Sequence, residues 1–210
     1  MNILFIISAS IAIVKLNEIL KKLMSNYIKV DCILTDNAAK MIDINQLKKT
    51  INGKVFTNKS EKNNKMLHID LTRRANLLVL CPATANIIAK FANGYADDLA
   101  STSLIASNKK ILVIPAMNSE MWNNTINKKN VSILKKNDVE FIGPEYGHLA
   151  CGEIGLGRLS SINKINRSYS QYFLGECSTQ ASYDGALRAL ASPNQTARSP
   201  FTADLQVSYR

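Results

Sequence analysis

The chain has 210 residues, 46% of them apolar, and a formal net charge of +10. That length fits one domain with an appendage, and the apolar share is ample for a core. The charge invites a nucleic-acid partner, but the lysines are scattered, as in 59–65 and 123–129, form no aromatic-interleaved stripe and match no nucleic-acid motif; neither nucleic acid nor membrane is expected as partner, and the basic surface is read as a salt-screened steering field for an anionic substrate.

Asn2–Ile7 is a continuous β-branched and aromatic run, the mark of a strand buried on both faces. Ser8-Ala9-Ser10 makes the turn, and Ser10 is placed to cap a helix over residues 11 to about 25. Lys29–Leu34 repeats the strand pattern, and Thr35-Asp36-Asn37 caps another helix. The polar stretch 54–65 predicts a flexible loop, and 66–71 a short extended piece or the start of a turn. Residues 76–81 read as a third buried strand, followed by helices over 83–91 and 98–107. A fourth strand at 110–114 precedes one helix from about 118 to 137, and 139–142 is a last short strand. This alternation predicts an α/β fold with a doubly wound, Rossmann-like, mostly parallel sheet. Right-handed crossovers then put the post-strand turns along one edge, where open α/β sheets bind ligands.

Residues 143–158 hold Gly143, Pro144, Gly147, Gly152, Gly155 and Gly157, which predicts a long flexible loop, a lid. From Ser168 onward the chain contains no lysine and no isoleucine and turns rich in Ser, Ala, Thr and Gln. We therefore divide it into a domain over 1–166 and an irregular tail over 167–210, weakly ordered apart from a short helix near 181–191. The tail reads as foreign, with a native segment docking on another subunit as the alternative.

Cysteines stand at 32, 81, 151 and 177, with no C-x-x-C pair, and there are two histidines, so no metal site is expected. Nothing supports disulfides, which points to a reducing, cytoplasmic setting. The apolar stretch 1–16 lacks a basic leader and is interrupted by Lys15, so it reads as a buried strand and not a signal peptide. No apolar run reaches membrane-spanning length.

Chemistry-bearing residues cluster at the predicted turns. Backbone N–H groups and two hydroxyls over Ser8–Ser10 suit an anion, although many such turns only cap a helix. Thr35 and Thr84 carry the same double reading. Asn118, at the mouth of the fourth strand, offers two donors and an acceptor on a preformed turn, which suits a carboxylate or carboxamide. Met117 and Ala116 shape the pocket floor, while Met121 and Trp122 are at helical spacing and belong to a core. Cys151 sits between Ala150 and Gly152 where a mobile loop can bring a thiol to a substrate, unlike strand residues Cys32 and Cys81. His68 can move a proton near neutrality, though a lone histidine is more often structural.

Three segments, Leu80-Cys81-Pro82-Ala83-Thr84-Ala85-Asn86, Val113-Ile114-Pro115-Ala116-Met117-Asn118, and His148-Leu149-Ala150-Cys151-Gly152, together resemble the flavin-dependent cysteine decarboxylases, in particular those acting on phosphopantothenoylcysteine. Asn93-Gly94-Tyr95-Ala96-Asp97-Asp98-Leu99 extends the match, which covers about residues 1–166. Ala9 and Val14 depart from the glycine and tyrosine usual in the family, and Arg74 from its tryptophan. The resemblance implies FMN as cofactor, with Ala9, Ser10 and Ile11 at its phosphate and Thr35, Arg73, Thr84, Ala85, Asn86, Ile87 and Ala116 also on the flavin. It implies catalytic roles for His68, Asn118 and Cys151, and substrate contacts from Asn118, Met117, Leu149 and Ala150. The implied reaction removes a hydride from the cysteine Cβ, releases CO2 through the resulting thioaldehyde, and returns the hydride while Cys151 protonates the other carbon. The implied assembly is a homotrimer, or an assembly of trimers, in which His68 reaches a flavin held by a neighbour. Alternatives are a peptidyl-cysteine decarboxylase, a flavin prenyltransferase of related fold, and a non-catalytic flavin-binding regulatory subunit; the joint presence of His68, Asn118 and Cys151 argues against the last. A synthetase domain, often fused to this one, is too large for the tail and is expected to be absent from this chain.

Overall fold

The first strand organises the molecule. In a computed structural model describing residues 2–24, 28–62 and 66–174, β1 (Asn2–Ile7) is buried along nearly its whole length. Its alternate side chains feed two cores. Ile3, Phe5 and Ile7 pack with Leu16, Leu20, Ile165 and Tyr169 on one face. Leu4 and Ile6 pack with Leu67, Leu71, Ile87 and Leu104 on the other. Each such aliphatic side chain contributes about 1.5–3 kcal/mol on burial, so this strand is fixed in register from both sides.

A 3₁₀ turn (Ile11–Lys15) leads into α1 (Leu16–Leu23), so the single helix expected from residue 11 begins in a tighter form. Next come β2 (Lys29–Leu34), α2 (Asp36–Ala39) and α3 (Ile44–Thr50). Of the stretch 54–65, expected as a loop, residues 54–62 carry β3 (Val55–Phe56) and α4 (Asn58–Lys62), and 63–65 lie outside the described residues. Residues 66–71, expected to be extended or to start a turn, cap and open α5 (Leu67–Arg74), because Leu67 and Leu71 share a helical face and bury it. Then follow β4 (Leu77–Ala83), α6 (Ala85–Ala92), α7 (Leu99–Ile105) and β5 (Ile111–Pro115).

The single helix expected over 118–137 is two, α8 (Ser119–Asn123) and α9 (Thr125–Lys136). Asn124 divides them: its side chain accepts the Ile126 N–H, a cap where the continuous helix would need an interior residue. After β6 (Glu140–Phe141), the expected flexible loop is an antiparallel hairpin, β7 (Glu145–His148) and β8 (Ile154–Arg158). Finally, α10 (Ile162–Leu174) crosses the domain limit expected at residue 166, with Tyr169 buried in the core. The helix expected near 181–191, Cys177 and the rest of the tail beyond 174 lie outside the described residues.

The main sheet is parallel throughout, in the order β3-β2-β1-β4-β5-β6. From β1 the chain winds outward to β3, then returns to β4 and winds the other way. The reversal falls between β1 and β4, so a crevice opens between the turns that follow them. Pro82 has no N–H to give the ladder, and the β4–β5 register shifts between Leu80 and Ala83. Among the described residues no helix is long and apolar enough to cross a membrane, and no cluster of metal-binding side chains occurs.

Candidate active site

Four post-strand turns line the carboxyl edge of the sheet and are stitched together. Ser8 N–H and Oγ both donate to Pro82 O, at 3.3 and 2.7 Å. Ser8 Oγ also donates to Thr84 Oγ1 (3.3 Å) and accepts the Thr84 N–H (3.0 Å). Ser10 Oγ donates to Ala116 O (3.2 Å) and accepts the Ala12 N–H (3.4 Å). Both hydroxyls of the first turn are therefore spent on structure, and the N–H groups of Ala9 and Ile11, which make no hydrogen bond among the described residues, are left for an anion. The second turn is committed too. Thr35 Oγ1 accepts the Ala38 N–H at 3.3 Å, the capping reading of that residue.

Thr84 behaves differently. Its side chain does not cap α6. The N–H groups of Ala85, Asn86 and Ile87 thus make no hydrogen bonds among the described residues, and a helix start without internal partners is a ready acceptor-binding site. Asn86 is exposed there, while Ile87 is buried and packs the core.

Asn118 caps α8, accepting the Met121 N–H through Oδ1 at 2.8 Å. This occupies one lone pair of the oxygen and leaves the two amide donors without a partner among the described residues. Two free donors suit a carboxylate, whose oxygens only accept. Met117 N–H donates to Gly157 O (3.0 Å), which seats the hairpin on this turn. The seating needs glycine: a methyl built on Gly157 would overlap the Met117 carbonyl oxygen, and one on Gly155 the Ser119 hydroxyl. Two of the glycines read as loop flexibility are thus close-approach points, Gly157 against a backbone and Gly155 against a side chain.

The hairpin tip is tied by Leu149 N–H to Glu153 O (2.8 Å) and Gly152 N–H to Leu149 O (3.0 Å). Gly152 takes φ +88°, a left-handed conformation. Cys151 is exposed at this tip, its thiol 3.4 Å from the Glu153 carboxylate. Cys32 and Cys81 are fully buried; burial pushes both thiols far above their ordinary range, helped at Cys32 by Asp31, and keeps them protonated and inert.

These elements enclose a cleft of about 460 Å³. Ser10, Ile11, Ala116, Met117 and Asn118 line one side, and Leu149, Ala150 and Cys151 line the hairpin side. Lys15, His148 and Arg158 add a basic rim. Arg158 leans on Glu145 at 3.4 Å, whereas Lys15 is exposed and forms no ion pair among the described residues. Eight sequence-predicted site residues thus meet at one cavity. Ala9, Thr35, Thr84, Ala85, Asn86 and Ile87 lie at neighbouring turns of the same edge. His68 and Arg73, on α5, do not line this cleft. His68 Nδ1 instead faces Glu61 Oε1 at 2.5 Å. Sequence reading missed Glu61, since nothing marks a carboxylate seven residues away across a polar segment; it also missed Lys15, an isolated cation in an apolar run.

A family model described as Flavoprotein matches residues 1–173. The chain is 34% identical over 179 residues to the coenzyme A biosynthesis bifunctional protein CoaBC of Bacillus subtilis (strain 168), covering 84% of this chain and 44% of that protein. It thus spans under half the length of that curated relative. Among solved structures, a PPC decarboxylase mutant complexed with pantothenoylaminoethenethiol superposes with a TM-score of 0.74 at 27% identity, over 82% of this chain and 97% of that one. The FMN binding protein AtHal3 gives 0.73 at 27% identity, over 84% and 98%.

Proposed function

This chain belongs to the Flavoprotein family, and from that premise we propose that it decarboxylates 4′-phosphopantothenoylcysteine to 4′-phosphopantetheine with FMN, a step of coenzyme A biosynthesis. The observation that carries the reading is the meeting of Asn118, with its two amide donors free, and the exposed thiol of Cys151 on one cleft at the sheet's carboxyl edge. The residues fit FMN. The free Ile11 N–H beside Ala9 and Ser10 suits its phosphate. The uncapped start of α6, over Thr84, Ala85, Asn86 and Ile87, suits acceptors on the ring or ribityl chain, with Thr35, Arg73 and Ala116 as further contacts. Bound there, FMN supplies a reversible hydride acceptor for the substrate's Cβ.

The chain's own groups do the rest. Asn118 donates to the substrate carboxylate and fixes its orientation. His68 takes the thiol proton as the C–S bond becomes C=S. That thioaldehyde accepts the electron pair of the breaking C–COO⁻ bond, so CO2 leaves and an enethiolate forms. Cys151 then protonates Cα, and the proton on His68 returns to sulfur as the Cβ–H bond is restored. Leu149, Ala150 and Met117 wall the cleft against water, and Lys15 and Arg158 oppose the substrate phosphate. Expected results are saturable micromolar binding of FMN in equilibrium dialysis and CO2 release from phosphopantothenoylcysteine. A folded sample that binds no FMN would overturn the reading.

We propose, in addition, a homotrimer or an assembly of trimers, in which α5 of one subunit brings His68 and Arg73 to the cleft of another. Two observations support it: α5 does not line its own cleft, and Ile11, Val14, Tyr146 and Ile154 leave apolar side chains exposed on the elements around that cleft. Sedimentation is expected to give a trimer or its multiple, and a monomer alone at assay concentration would contradict it.

A further inference from the structure

We infer that Glu61 is the positioning residue for His68: its carboxylate fixes the proton of the neutral ring on Nδ1 and leaves Nε2 as the proton-accepting atom. The inference rests on the proposed function for the statement that His68 moves a proton, and on geometry for the rest.

His68 Nδ1 and Glu61 Oε1 are in hydrogen-bond contact at 2.5 Å, and both side chains are about three-quarters shielded, at 20% and 25% exposure. A carboxylate can only accept, so the nitrogen facing it must donate. The neutral imidazole has one N–H to give. Placing it on Nδ1 strips Nε2 of its proton, and Nε2 makes no hydrogen bond among the described residues. Free imidazole chemistry favours the opposite tautomer, so the carboxylate decides the ring's role.

The carboxylate is not free to wander. Glu61 lies on α4, a helix held from outside its own sequence. Asn58 Oδ1 accepts the Leu99 N–H at the start of α7 (2.9 Å), and Asn58 Nδ2 donates to Asp36 at the start of α2 (2.8 Å). The Thr57 N–H is taken by Ser60 Oγ at 3.1 Å. On the other side, α5 buries Leu67, Leu71 and Thr72, and Thr72 Oγ1 donates to His68 O at 2.9 Å. Both partners are thus placed by separate contacts, and their meeting is not a chance approach of two flexible side chains. As charge grows on the ring during proton uptake, the same carboxylate stabilises it without becoming protonated, the division of labour seen where a carboxylate orients a catalytic histidine.

The chain has only two histidines, so selective ¹⁵N-imidazole labelling of the full chain gives two ring systems, and His68→Asn assigns them. In long-range ¹H–¹⁵N spectra at a pH that keeps the ring neutral, wild-type His68 is expected as the Nδ1–H tautomer. Glu61→Ala should return it toward Nε2–H, whether or not FMN is bound. An unchanged tautomer in Glu61→Ala overturns the inference. In turnover, Glu61→Ala is expected to lower kcat about 10- to 100-fold, part of the roughly 10²–10⁴-fold worth of a positioned acid–base group, with KM little changed. Glu61→Gln, whose amide oxygen can still accept the Nδ1 proton, should lose less. If His68→Asn is inactive and Glu61→Ala keeps full kcat, the positioning role is wrong. If His68→Asn itself turns over, the proposed role of His68 fails instead, and the tautomer measurement alone decides what Glu61 does.

Discussion

Asn118→Asp is expected to give a stable protein that binds FMN and does not decarboxylate its substrate. Residue 118 does two jobs that the substitution separates. Its Oδ1 caps α8 by accepting the Met121 N–H, and aspartate caps as well as asparagine does, with a negative charge favoured at a helix start. Its NH2 faces the substrate carboxylate in our reading, and there aspartate puts a second negative charge where two donors stood. Like charges at close range cost several kcal/mol, so turnover should fall by at least about a hundredfold, at tenfold per 1.4 kcal/mol. Asn118→Ala makes the opposite trade. It loses the cap, about 1 kcal/mol, and the donors, but adds no repulsion. Thermal stability should therefore rank the aspartate variant above the alanine variant, while kcat/KM ranks them the other way. If the two variants ranked alike in both measurements, Asn118 would be a helix cap only. An active aspartate variant would remove the carboxylate contact from the mechanism.

The sequence was readable where burial alone decides structure. Asn2–Ile7 is a strand at the expected limits because its unbroken apolar run is shielded on both faces, and Lys29–Leu34 follows because Val30, Cys32, Ile33 and Leu34 are buried although Lys29 is exposed. The turns after them follow from the parallel order of the sheet, so placing Ala116, Met117 and Asn118 at a strand mouth needed no tertiary information. Reading failed where long-range contacts overrule local preference. Residues 54–65 look like a polar loop, yet α4 exists because Asn58 bonds two distant helix starts. Gly147, Gly155 and Gly157 lower strand propensity, yet the hairpin forms because their bare backbones fit against Met117, Ser119 and Arg158. At the site, residue types were legible but their hydrogen bonds were not. Ser8 and Ser10 look like phosphate ligands until their hydroxyls are found bonded to Pro82 and Ala116. Thr84 looks like a cap, and its failure to cap is what leaves the α6 start open.

Cys151→Ser is expected to stop the reaction at a defined halfway point, which sets it apart from Asn118→Asp and His68→Asn. Those two should block before CO2 is lost. The thiol of Cys151 has no part in that half: hydride removal from Cβ, proton loss from sulfur and C–COO⁻ cleavage all proceed without a donor at the hairpin tip. The second half needs one, because hydride return to Cβ requires Cα to be protonated. Serine keeps the size and the turn, since the tip is held by backbone bonds at Leu149 and Gly152 and not by the side chain. A serine hydroxyl is a far weaker acid than a thiol, and a mismatched donor forfeits most of the roughly 10²–10⁴-fold gain from acid–base assistance. Under anaerobic conditions the variant should therefore release CO2 about once per bound flavin, leave the flavin absorbance bleached, and accumulate the enethiol, a product two hydrogens short of phosphopantetheine by mass. A serine variant that turned over repeatedly to phosphopantetheine would strip Cys151 of the donor role. One that released no CO2 at all would move the cysteine into the first half of the reaction, where nothing in its exposed position at the hairpin tip explains a need for it.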